Sequence, residues 1–234
     1  MQAPSAFSCL PELCGDAGPF AARRDGRGQL RTRDAVLWLV AGSAAYGAAM
    51  GAWSSYELAL YAAIKLPLLL FATAGVNALA NGVVARAAGY RLSLGAALRV
   101  VIASFSLVGI VLGSLAPVVL LFDRTVPGPW SPAAWRSHDL LGALHVAAIA
   151  IAGTAAVVRQ RRWLADFAPR GEPGALAFAW LALNLFVGAQ LAWNLRPWFG
   201  SPGLTSEFLR EHPFDGTFYE SVFRLVAQST FDPK

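Results

Sequence analysis

Lysine is almost missing from this chain. Lys65 and Lys234 stand against seventeen arginines. Charge as a whole is scarce, at 14% of residues, where soluble domains carry about 25%. That shortage argues against a water-soluble globular protein. There are only two cysteines, Cys9 and Cys14. A C-x4-C pair with no second Cys/His pair nearby defines neither a disulfide framework nor a zinc site. No apolar core of 7–15 residues follows the basic start, so no cleavable signal peptide is read there. Absent too are HExxH, GxSxG, a Walker loop and paired intramembrane carboxylates. No catalytic residue, metal site or cofactor is therefore assigned, and a membrane enzyme acting on lipid ranks third, behind the non-enzymatic readings.

What the chain has is apolar length: 56% of its residues are hydrophobic. The central stretch is Leu58–Val84, twenty-seven residues with Lys65 as the single charge. About 20 apolar residues cross the hydrocarbon core, so this stretch predicts a membrane-spanning helix, with a bend expected at Pro67. Four further runs have the same character: Ala35–Trp53, Val100–Phe122, Leu140–Val158 and Ala175–Leu195. The fold expected is an all-α polytopic membrane bundle of five transmembrane helices. Three regions follow: a loose basic tail over residues 1–34, the bundle over 35–199, and an external or interfacial C-terminal segment over 200–234. RLSLGAALR suggests an interfacial helix before the third span. Asp123–Asp139 suggests a surface loop. In the C-terminal segment, Leu204–Glu211 and Thr217–Gln228 suggest two short helices, the second opened by a capping box from Thr217 to Glu220.

Charge sets the orientation. Twelve Lys and Arg fall in the tail and the second-to-third and fourth-to-fifth connections, against six on the opposite side. Positive charge collects on the cytoplasmic side, which predicts N-in and C-out. The arginines lie beside hydrophobic spans and read as topology signals, so nucleic acid is not an expected partner. Membrane lipids are, together with further copies of the chain or other membrane subunits.

Two kinds of residue stand out inside the spans. Gly47 with Gly51, and Gly109 with Gly113, form GxxxG pairs that let helix backbones approach closely. Lys65, His145, Gln190 and Asn194 are polar groups at comparable depth. At 1.5 Å per residue, Lys65 lies roughly 10 Å below the outer end of its helix and His145 about 8 Å below its own. They could share one outer-leaflet polar layer, because intramembrane polar groups face the bundle interior. Lys65 snorkelling outward is the plain alternative. Thr73, Asn77 and Asn81 add a polar stripe at spacing four. Beyond the spans, Phe218, Val222 and Phe223, with Val226, form an apolar stripe. That stripe could lie on the bilayer or the bundle, or dock a partner.

AIKLPLLLFATAGVNAL in the second span and QLAWNLRPWFGSPGLTSEFLREHPFDGTFYESVF near the C-terminus resemble an uncharacterised family of small bacterial multi-span inner-membrane proteins. The resemblance implies a bacterial inner-membrane location and no particular activity. Five spans after a soluble tail are also distantly similar in architecture to the Yip-domain membrane proteins. The leading functional expectation is a non-enzymatic membrane scaffold or accessory subunit. The alternative is a small transporter or channel with a polar outer-leaflet site around Lys65.

Overall fold

A computed structural model describes residues 32–167 and 173–231, with side chains through residue 224. Residues 1–31 of the basic tail, with its two cysteines, and the side chain of Val226 lie outside the described residues, while residues 32–34 of the expected tail already belong to the first helix. Among the described residues six helices follow one another: α1 (Thr32–Ala52), α2 (Tyr56–Ala87), α3 (Leu94–Thr125), α4 (Ala134–Ala165), α5 (Gly174–Asn194) and α6 (Phe218–Phe231). The described residues contain no strand. The first five helices are long and apolar enough to cross a membrane. The protein is thus an all-helical integral membrane protein with five spanning segments.

α2, α3 and α4 exceed their sequence boundaries at both ends, and α2 and α3 start at serine caps. The Ser55 hydroxyl accepts from the Leu58 N–H at 3.0 Å and starts α2. Ser93 accepts from the Ala96 N–H at 3.2 Å and starts α3. No separate interfacial helix precedes the third span. After the Ser93 cap nothing breaks the helix, so RLSLGAALR runs directly into α3. α2 likewise continues through Pro67, and α3 through Pro117. The expected loop shrinks to residues 126–133, with Trp135, His138 and Asp139 inside α4. In the C-terminal segment the second short helix forms but the first does not. Leu204–Glu211 is irregular, with bends at Phe208, Leu209 and Glu211, and Pro213 just beyond it stops a helix from continuing.

α1 is the hub. It packs most heavily on α3 and α2. Against α3 it runs parallel: Ser106 donates to the Ala35 carbonyl at 2.7 Å, and Gly109 and Gly113 abut Leu39 and Gly42 at the same offset. A Cβ on Gly113 would lie 2.7 Å from the Gly42 Cα, and one on Gly109 2.9 Å from the Leu39 Cα. Against α2 it is antiparallel: Gly47 meets the Ala62 carbonyl and Gly51 the Leu58 carbonyl, closer than any side chain allows. The two GxxxG pairs therefore do not face each other. The α1 pair seats α2, and the α3 pair seats Gly42, which the sequence reading did not single out.

The chain after α5 returns over the end of the bundle formed by the α1–α2 turn and the α3–α4 connection. The Ser206 and Ser55 hydroxyls are 2.6 Å apart. Phe199 lies between His138 and His145, with ring centroids at 4.8 and 5.3 Å. Gly200 has φ +75° and presses on Ser54, so no other residue fits there.

Candidate functional site

Lys65 begins a row on α2 at spacing four: Lys65, Leu69, Thr73, Asn77 and Asn81. Rows of this kind slant across a helix and pack against a neighbouring one. Four of its five members are polar, and those four are buried. The row spans about 24 Å of helix, most of a hydrocarbon core about 30 Å thick.

The facing element is α5, running antiparallel. A Cβ on Gly188 would touch the Thr73 side chain at 3.7 Å, while Lys65 donates to the Pro197 carbonyl at 2.9 Å just past the end of α5. This register brings Asn184 level with Asn77 and Trp180 level with Asn81. The polar atoms along this seam find no protein partner. They are the Thr73 hydroxyl, both amide atoms of Asn77 and Asn81, the Asn184 carbonyl oxygen and the Trp180 indole N–H. Burying such a group unpaired is destabilising by about 1–3 kcal/mol. A row of them in an apolar bundle is a site for something that forms hydrogen bonds.

Lys65 itself is 0% exposed. Besides the Pro197 carbonyl, its ammonium faces the Phe208 ring at 5.0 Å from the centroid. It bonds to none of the residues expected to share its layer. His145 pairs instead with Tyr46, hydroxyl to Nδ1 at 3.0 Å. The Gln190 amide nitrogen donates to Asn194 at 3.1 Å, and its oxygen accepts from the Phe218 N–H at 3.1 Å. The four residues thus hold three separate sets of partners, because each finds a nearer one. Sequence reasoning foresaw neither Pro197 and Phe208 beside Lys65, nor Tyr46 on His145, nor the Phe218 N–H on Gln190. It also placed Asp123 in a loop. The residue belongs to the last turn of α3, with both carboxylate oxygens buried and unpartnered.

At the C-terminal helix, Thr217 and Glu220 form the reciprocal capping box, with both bonds at 3.0–3.1 Å. Phe218 lies edge-on to Trp193, and Tyr219 stacks on Phe186 while its hydroxyl donates to the Phe186 carbonyl. Val222 and Phe223 point away, Phe223 at 74% exposure. Of the three docking candidates, Phe218 is therefore spent on α5 and the other two are free to meet lipid or protein. Among the described residues, no three His, Cys, Asp or Glu side chains come together to hold a metal ion. No family model, curated protein or solved structure matches the chain.

Proposed function

We propose that the protein is a small transporter or channel of the bacterial inner membrane, passing water or a small uncharged hydrogen-bonding solute along the α2–α5 seam. One observation carries this reading: the unpartnered row of Thr73, Asn77 and Asn81 opposite Asn184 and Trp180, running through the bundle. Carboxamides and hydroxyls both donate and accept, which suits a neutral polar solute. Lys65 at one end disfavours cations, as fixed positive charge does in selective pores. In proteoliposomes, swelling in glycerol or urea gradients should be faster than in empty vesicles. Asn77→Leu with Asn81→Leu should abolish the difference. Wild-type protein indistinguishable from empty vesicles would sink the proposal.

The second reading is a non-enzymatic scaffold or accessory subunit, favoured by the outward Val222 and Phe223. It requires a stoichiometric partner or self-assembly that is lost when residues 217–234 are deleted. The N-in, C-out orientation belongs to both readings and rests on the arginine bias. A cysteine replacing Ser201 should label with an impermeant thiol reagent in intact cells, and failure to label there, with labelling at the 159–170 connection, would reverse it.

A further inference from the structure

Trp193, in the last turn of α5, carries two guanidinium groups on one indole. The Arg196 Cζ lies 3.1 Å from the ring centroid and the Arg210 Cζ 5.4 Å. Both side chains are fixed by backbone carbonyls. Arg196 Nε donates to the Trp193 carbonyl at 3.0 Å. Arg210 Nη2 donates to the Pro213 and Asp215 carbonyls at 3.1 and 2.8 Å. The Arg210 N–H in turn donates to the Arg196 carbonyl at 3.3 Å, which pins the two strands of the segment together.

Such an arrangement needs a reason, because like charges held together repel. Burial, and then the charge of Arg210, push the Arg196 guanidinium below its ordinary value. The usual remedy is a carboxylate, and neither arginine has one within ion-pair distance among the described residues. Three buried donors are left over: Arg196 Nη2, Arg210 Nε and Trp193 Nε1. All belong to side chains around the same ring, and two of the three carry positive charge. The indole faces contribute cation–π attraction but accept no hydrogen bond from these groups. The place in the fold matters as well. α5 ends here and the chain turns out over the bundle, at the level where tryptophan and arginine meet lipid headgroups.

We propose that Trp193, Arg196 and Arg210 form a binding site for a phosphate oxyanion, supplied by an anionic phospholipid headgroup or by free phosphate. The fork geometry of guanidinium suits a phosphate, and charge-assisted bonds of this kind are the strong ones. The site is separate from the α2–α5 seam and stands whether or not the seam conducts.

The test uses the full chain purified in a neutral detergent, with native mass spectrometry and thermal melting as readouts. The probes are dioleoylphosphatidylglycerol, dioleoylphosphatidylcholine and inorganic phosphate. Phosphatidylglycerol should remain bound and raise the melting temperature, while phosphatidylcholine should not. Arg196→Gln with Arg210→Gln should weaken that binding about tenfold or more, the loss expected for charge-assisted hydrogen bonds. Stabilisation by millimolar phosphate, with the two lipids equivalent, keeps the site and assigns it to the free anion. No response to either anion, or an equal response in the double variant, overturns it. Should the double variant fail to fold, Trp193→Phe decides, since it keeps an aromatic face for the guanidinium groups and removes the indole N–H donor. Weaker binding then supports the site, and unchanged binding overturns it.

Discussion

α2 is packed against two neighbours in opposite ways. On one side α1 comes so close that Gly47 and Gly51 rest on α2 carbonyls. On the other, α5 faces a row of buried polar side chains whose donors and acceptors go unmatched. Within lipid there is no hydrophobic force to press helices together, so association depends on close packing and hydrogen bonds. The α1 side uses the first of these fully. The α5 side forgoes part of the second. α5 reflects this in its own burial: its fully buried residues are Leu176, Ala177 and Trp180, all in its first two turns. One interface is built for stability, and the other keeps polar capacity in reserve.

The largest effect should come from the tight side. Leucine at Gly109 would drive a side chain into the α1 backbone at Leu39 and Trp38, where neither helix can yield without parting. Overpacking of this kind destabilises by about 3 kcal/mol at its upper range, and a backbone clash belongs there. Denaturant unfolding in micelles should show the loss for Gly109→Leu and similarly for Gly42→Leu. A Gly109→Leu protein as stable as wild type would show that α1 and α3 do not meet as described.

The polar side should respond with the opposite sign. Asn77→Leu keeps the branched heavy-atom shape and removes two unmatched polar atoms, so stability should be unchanged or rise by up to about 2 kcal/mol. Asn81→Leu should behave alike. A loss of more than about 1 kcal/mol in the same unfolding assay would mean that the amides bond within the folded protein. The contrast between the two interfaces would then disappear.

How much of this was legible depends on what kind of atom does the work. The spans were legible because twenty-seven residues such as Leu58–Val84, with one charge, have no soluble explanation. The GxxxG glycines were legible as small residues, but not their partners. Gly42 was hidden because its fourth neighbours on α1 are Trp38 and Tyr46, which break the small-residue pattern. The partner of Lys65 was hidden for another reason. A proline carbonyl more than a hundred residues away leaves no side-chain signature. Depth alone grouped Lys65 with His145, Gln190 and Asn194, and depth does not say which way a side chain turns. The i, i+4 spacing that joins Lys65 to Asn81 was visible all along and is the signal that finds the seam.

The smallest effect, and the finest probe of the contrast, is where the Tyr46 hydroxyl and His145 Nδ1 bond to each other, although His145 Nε2 has no partner. Here a buried polar group has its partner, at 3.0 Å, within the same helical bundle that leaves Asn77 without one. Tyr46→Phe removes a single oxygen and leaves the ring packing in place. It strands the His145 Nδ1, so stability should fall by about 1 kcal/mol, at the low end of the penalty for an orphaned buried group. His145→Phe should fall by less, because it strands the hydroxyl but also removes the unpartnered Nε2. Making both changes together removes both polar partners, so the double variant should lose less than the two single losses added. Such a cycle in micelles would give a favourable coupling for this pair. The same cycle on Asn77 and Asn184 should give almost none, because neither bonds to the other. Equal couplings at the two places would mean that the seam is hydrogen-bonded across α2 and α5 after all, and that its polar groups serve packing and not a solute.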